Sequence, residues 1–395
     1  MKMLLIALTL SLMFGCKSSS NLPPETVSKL RNGLEVAIAR EILTEVKQEL
    51  PKLKGSVRYD YLAYKANQFR RSVDLNALNS WARHEFELLT YMTELEKIYW
   101  HQTDYETRVS VMSSLEIDLP HLELLLISSL EKIDQKLAML IKGANQNVSS
   151  HMTKVREDAI YPEDSFIGKQ DYLDALELEM ISSFQSWKHL SEGASPNIEL
   201  LGENSDKPTF FYKKNKLTIN LSKVNALPNF ELASIATFYG YPGQAALATD
   251  ETHPSLNNLL QLPGFDIGWA WYKLERIAKQ DIKHIKQHLY FSKLITSAAL
   301  ADLRLHTRKW RKDEAAENIY RETPYTMNRI NGILEAMYNK PGYYLAAFAG
   351  KTRLIEIESR CITDCESDLP KRLISLGPLP FDLLEERLIT EKIIQ

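Results

Sequence analysis

Thr237-Phe238-Tyr239-Gly240-Tyr241-Pro242-Gly243-Gln244-Ala245 is the stretch on which the reading of this chain turns. Its Tyr-Pro-Gly centre is backbone punctuation. Pro242 fixes φ and removes a donor, and Gly243 admits conformations that a side chain forbids. Around this centre stand Phe238, Tyr239, Gln244 and Ala245. A catalytic zinc needs about three nitrogen or oxygen ligands and an open position for water. Phe238, Tyr239 and Ala245 offer it nothing useful, and Gln244 is a weak neutral ligand.

Three landmarks follow in order downstream. The first is Phe265-Asp266-Ile267-Gly268-Trp269-Ala270-Trp271-Tyr272, and the second is Asp302-Leu303-Arg304-Leu305-His306. The third runs Lys340-Pro341-Gly342-Tyr343-Tyr344-Leu345-Ala346-Ala347-Phe348. With the opening stretch they resemble the bacterial family known as domain of unknown function 885, over about Tyr212 to Leu388. That family carries His-Glu-Ala-Tyr-Pro-Gly-His-His, Phe-x-Glu-Gly-Trp-Ala-x-Tyr, Asp-x-x-Leu-His and Trp-Pro-Gly-Gln-Ala-x-x-Tyr-Lys. The resemblance implies a zinc-metallopeptidase-like helical fold with a cleft like that of the zincins.

The same alignment removes the chemistry. Phe238 and Tyr239 replace the first His and Glu, Gln244 and Ala245 replace the His pair, and Ile267 replaces the second Glu. Tyr343, Ala347 and Phe348 replace the polar Gln, Tyr and Lys. The resemblance therefore implies a degenerate site with no metal, no cofactor and no catalytic residue. Tyr241, Trp269, His306, Tyr343 and Tyr344, with Tyr239 and Gln244, are expected to line what remains of the pocket, since aromatic and amide groups suit peptide binding. His306 is expected to hold a structural or pocket-lining hydrogen bond.

Rival sites are weaker. His84-Glu85 begins like a zincin motif, but Leu88 stands where its second His belongs. His284 and His288 lie one turn apart beside Lys283 and Lys286, which reads as a solvated helix flank. Asp250, Glu251 and His253 could supply relocated ligands or an acid–base pair, though Pro254 favours a loop or helix start there. Neither a phosphate loop nor a Gly-x-Ser-x-Gly elbow is present.

The N-terminus reads as a targeting segment. Lys2 precedes the apolar run Met3 to Phe14, which is too short to span a bilayer. It ends in Leu12-Met13-Phe14-Gly15-Cys16, which resembles a bacterial lipobox with Cys16 as the lipidated residue. An ordinary secretory signal with an incidental Cys is the alternative. Residues 1–15 would be the signal peptide and 16–24 the lipidated Cys and polar tether. Lys17 is not the Asp of an inner-membrane retention signal, so the expected address is the outer membrane, facing the periplasm. Lys and Arg number 48 against 51 Asp and Glu, interspersed, which leaves no nucleic-acid footprint. Cys361 and Cys365 are expected to form a small disulfide in an oxidising envelope compartment.

Periodicity makes the body mainly α. Helices are expected over Glu25 to Leu50, Tyr59 to Val73, Leu75 to His101, His121 to Lys142 and Tyr172 to His189. Trp271, Leu274, Ala278, Ile282, Ile285 and Leu289 read as one long buried stripe. Helices are also expected at Leu294 to His306, Ala315 to Arg321, Met327 to Tyr338, Tyr344 to Glu358 and from Phe381. Phe210 to Leu221 reads as a small β-hairpin. The segment Ser191 to Pro208, rich in Gly and Pro, separates an N-terminal helical region (25–200) from a metallopeptidase-like region (207–395).

Three functions fit these residues. The leading one is a lipid-anchored pseudoenzyme that binds a peptide or an envelope protein. The second is a hydrolase with relocated groups drawn from Asp250, Glu251, His253 and His306. The third is a structural envelope lipoprotein.

Overall fold

The computed structural model describes residues 24–75, 78, 80–101, 103–141, 147–190, 199–203, 209–213, 216–247, 260–307, 310–362, 365 and 367–395. Among these, fifteen α-helices carry the chain. Those before the sheet are α1 (Pro24–Glu49), α2 (Ser56–Ser72), α3 (Ser80–Trp100), α4 (Tyr105–Ser113), α5 (Leu119–Leu140), α6 (Val148–Glu157) and α7 (Phe166–Trp187). After it come α8 (Leu232–Tyr239), α9 (Pro263–Ile277), α10 (Ile285–Thr307), α11 (Lys312–Glu322) and α12 (Met327–Asn339). The last three are α13 (Tyr343–Ser359), α14 (Asp368–Leu376) and α15 (Phe381–Thr390). No described helix is long and apolar enough to cross a membrane.

Short polar residues set the helix starts. Asp104, Asp118, Asn147 and Ser165 each accept a backbone N–H from the first turn of α4, α5, α6 and α7. Pro120 sits in the first turn of α5, where its missing N–H costs nothing. Asn147, just past the expected end of the His121 to Lys142 helix, is the cap of the next one.

The mainly α class holds, with a small sheet beside it. β2 (Phe210–Lys213) and β3 (Lys216–Asn220) form the antiparallel hairpin, with Phe210 opposite Ile219. β1 (Glu199–Glu203) adds in parallel to β3, giving the order β1-β3-β2. That strand lies inside the stretch whose Gly and Pro content read as a boundary.

One expectation fails. The stripe from Trp271 to Leu289 is not one helix, because the chain leaves α9 at Ile277 and re-enters α10 at Ile285. Ile282 is 83% exposed. An apolar residue at helical spacing marks a buried face only if the helix continues through it.

The core is one large apolar cluster running from Ala39 to Ile394 and drawing on both halves of the chain, with a small second cluster around Tyr241 and Ala246. At its centre α9 and α13 touch backbone to backbone. A side chain on Gly268 would put its first carbon 2.8 Å from the Lys351 nitrogen, which no packing can absorb. Arg304 of α10 pairs with Glu123 of α5 at 2.9 Å, and Lys293 with Asp134 at 2.5 Å, so these two helices run antiparallel. Cys361 and Cys365 are joined just beyond α13, with Cα atoms 5.8 Å apart.

Candidate functional site

The Tyr-Pro-Gly turn follows directly on α8. Tyr241–Pro242 is a cis peptide, and Gln244–Leu247 continues as a 3-10 turn. Trp269 of α9 is fully buried, and its Nε1 donates to the Pro242 carbonyl at 2.9 Å and the Gly243 carbonyl at 3.2 Å. Gly243 leaves no room for a side chain, whose first carbon would lie 2.6 Å from the Phe238 carbonyl carbon. Trp269 is therefore a clamp on the turn. Tyr241 is likewise buried, edge-on to Phe184 at 5.4 Å. Both were expected to line a pocket, and both belong to the core. A buried indole N–H needs an acceptor, and the turn's carbonyls need a donor.

Buried apolar and neutral side chains fill the space around the turn. Phe238 is 4% exposed and packs edge-on against Phe291 at 5.3 Å. Ala245 and Gln244 are buried, and the Gln244 Nε2 finds no protein partner. Ile267 packs half-buried against the core. The zinc that the resemblance implies does not fit these residues. Among the described residues no three of His, Cys, Asp and Glu converge as a metal site. Asp250, Glu251 and His253 lie outside the described residues.

Three tyrosines gather near the end of α8. Tyr239, Tyr343 and Tyr344 are half-buried. Tyr239 stacks on Phe210 at 5.9 Å and leans on Tyr212 at 6.4 Å, and Tyr343 and Tyr344 meet edge to face at 5.7 Å. Burial pushes the Tyr239 hydroxyl up to about 12. Tyr343 and Tyr344 move the same way, first from burial, then Tyr343 from Tyr344 and Tyr239, and Tyr344 from Tyr239. Tyr99 and Asp266 also act on Tyr343. The three side chains thus form one desolvated, half-buried tyrosine cluster, the tyrosine recess.

Two charged features face it. Asp266, next to Ile267, is pushed up to about 7 by burial, against the opposing Leu262 N–H, which donates to its Oδ2 at 2.9 Å. Arg329 is buried with its guanidinium 4.6 Å from the Phe210 ring centre and 3.5 Å from Glu231. Burial pushes Glu231 up to about 7 although Arg329 opposes it. Sequence reading missed all three. Asp266 had a signal, since it carries a carboxyl inside the landmark Phe265 to Tyr272. Glu231 and Arg329 are far apart in the chain and meet only in the fold.

The Asp-x-x-Leu-His landmark has a structural job. Asp302 is fully buried, and its carboxylate accepts from the backbone N–H groups of Gly342 and Tyr344 at 3.1 Å and of Leu345 at 3.4 Å. It caps α13 from a neighbouring helix. His306 Nδ1 lies 2.9 Å from the Asp302 carbonyl and 3.1 Å from its carboxylate, and the ring stacks on Tyr105 at 5.0 Å. Burial lowers the His306 pKa, but Asp302 outweighs it and the net direction is upward.

His284 and His288 are not a solvated flank. His288 is fully buried, with Nδ1 3.1 Å from Ser234 Oγ and Nε2 3.3 Å from Asp281. Asp281 also holds His284 Nδ1 at 2.8 Å. Ser234, His288 and Asp281 have the order of a hydrolytic relay. Ser234 and His288 are both 0% exposed, so a substrate cannot reach the hydroxyl. The array ties α8 to the start of α10. Glu85 is buried and paired with Lys47 at 3.2 Å, which gives His84-Glu85 a packing role.

No family model matches this sequence, and no curated protein matches it. Two solved structures share its fold. One is described as "the putative lipoprotein from Colwellia psychrerythraea", with TM-score 0.63 and 15% identity over 91% of this chain and 74% of the other. The second is described as "a putative lipoprotein of unknown function from Shewanella oneidensis", with TM-score 0.54 and 9% identity over 92% and 72%. At such identities the likeness is one of architecture.

Proposed function

We propose that this chain is a lipid-anchored protein of the bacterial cell envelope, attached through Cys16, on the outer membrane and facing the periplasm. Its body would be a non-catalytic relative of the domain of unknown function 885 proteins that binds a peptide or protein partner in the tyrosine recess. The anchor rests on the lipobox-like Leu12 to Cys16 and on two structural neighbours described as lipoproteins. The binding role rests on one observation above the others. Half-buried Tyr239, Tyr343 and Tyr344 cluster beside Phe238, and the resemblance reads Phe238, Ala245 and Ile267 as replacements for metal ligands. Tyrosines bring large contact area and a hydroxyl at low entropic cost, which suits peptide backbones.

The test is a thermal-shift screen of the full acylated chain against a library of short peptides. A hit should weaken at least about tenfold in Tyr343→Ala, roughly the loss of one good contact. Absence of any hit, or hits indifferent to Tyr343→Ala and Tyr239→Ala, would sink the recess as a binding site. Asp266 favours a second reading, a hydrolase with a relocated carboxyl, because a carboxyl held near neutrality suits proton transfer. Peptidase or esterase turnover that disappears in Asp266→Asn would support it.

A further inference from the structure

The helices give the molecule two distinct ends. Asp302, near the end of α10, caps the start of α13 at the tyrosine recess, so α10 begins at the opposite end. Since α5 runs antiparallel to α10, it finishes at that opposite end too. α9 runs parallel to α13, with Gly268 against Lys351 and Arg276 paired with Glu358, so the 278–284 connection also lies there. The same end receives the N-terminal segment. Arg360 and Arg353 bind Glu385 of α15, and α15 brings Glu386 and Arg387 beside His84 at the start of α3. Near that start, Glu35 of α1 accepts from the Asp74 N–H at 3.0 Å, and α1 continues from there towards Pro24.

This end carries exposed apolar side chains. Ile282, in the 278–284 connection, is 83% exposed, and Met139, in the last turn of α5, is 61% exposed. Lys136, Lys279, Lys283 and Lys286 stand exposed around them. Lys136 and Lys279 are close enough for their like charges to act on each other, a lesser cause than burial in depressing Lys279. The acid among them in sequence, Asp281, is held by His284 and His288. Exposed apolar tips ringed by lysines match the boundary of an anionic bilayer, where acyl chains lie beneath negative headgroups.

We propose that the end of the molecule bearing Met139, Ile282 and their ring of lysines rests on an anionic phospholipid bilayer, with the tyrosine recess directed away from it. This deepens the anchored reading and rests on it. Eight positions separate Cys16 from Pro24, and an extended chain spans at most about 3.5 Å per residue, so α1 would start within about 30 Å of an acylated Cys16. A lipid chain supplies attachment, and the patch supplies orientation.

The experiment uses the full acylated chain carrying Ile282→Cys, labelled with an environment-sensitive fluorophore. Cys16 is then acylated and Cys361 is joined to Cys365, so the new thiol is the reactive one. Glu106→Cys, exposed at the recess end, is the control. On phosphatidylcholine vesicles containing phosphatidylglycerol, the probe at 282 should shift to the blue and be quenched by nitroxide lipid, and the probe at 106 should not. Lys279→Glu, Lys283→Glu and Lys286→Glu together should abolish that quenching while the chain still floats with the vesicles. A floating chain whose probe at 282 is no more quenched than the control overturns the proposal. A chain that does not float overturns the anchor instead, and quenching at 282 by added anionic vesicles then still decides the patch.

Discussion

Asp266 carries, together with Glu231, the cost of burying a carboxyl at this site. Its carboxyl titrates near 7 in the folded chain because burial opposes its charge, against an ordinary value of 3.8. A raised carboxyl pKa means that the folded state holds its proton more tightly than the unfolded chain does. Stability is therefore highest below about pH 4, falls as pH rises and levels off above about 7. The whole penalty is at most roughly 4 kcal/mol, less whatever residual solvent screens. Asp266→Asn should stabilise the protein at pH 8, by about 1–3 kcal/mol in urea unfolding, and weaken its pH dependence between about 4 and 7, leaving the part that Glu231 contributes. A variant with the wild-type pH profile would mean that the carboxyl is hydrated. Trp269→Phe should cost about 1–3 kcal/mol, because two buried carbonyls of the turn lose their donor. At this scale the sequence pointed to the Tyr-Pro-Gly turn and the Trp269 landmark by resemblance alone. It could not show that Trp269 faces inward, since an indole at a motif position suits a pocket or a clamp equally. The carbonyls of Pro242 and Gly243 decide between them.

The helices were legible where their signals are local. Pro120 and the run of leucines after it give α5, and Met327 to Asn339 and Tyr343 to Ser359 fall where periodicity places them. The misses have two physical sources. The short α4, α6 and α14 rest on capping and packing more than on a long stripe, and β1 gains its order by pairing with β3 across an intervening strand. Two elements depend on a distant partner strongly enough to be tested. Asp302→Ala would leave three N–H groups at the buried start of α13 without their acceptor, and should cost about 3–5 kcal/mol in chemical unfolding. Asp302→Asn keeps an acceptor and should cost less. Gly268→Ala should cost more than about 2 kcal/mol, because the new methyl meets the α13 backbone, which cannot step aside as a side chain would. An outcome near zero for Gly268→Ala would mean that α9 and α13 lie further apart than the fold described above.

For the whole molecule, the recess and the lysine-ringed end lie at opposite ends of α13. That helix has 17 residues and so spans about 25 Å. Sites this far apart with no shared partners should respond to mutation independently. The arrangement also suits a tethered binder, because a recess turned towards the bilayer would be closed to partners in the surrounding compartment. The prediction is a double dissociation. Tyr343→Ala should lose peptide shifts and keep the probe at 282 quenched on anionic vesicles. The triple Lys-to-Glu variant should lose the quenching and keep peptide shifts within about twofold, a difference of about 0.4 kcal/mol, within the spread expected of independent sites. Thermal-shift titrations and quenching on the same preparations would measure both. If the triple variant also loses peptide binding with its stability unchanged, the two ends are coupled through α10 and α13. The bilayer would then act on the recess as well as orient it, and Asp302, which joins the end of one helix to the start of the other, would be the first residue to examine.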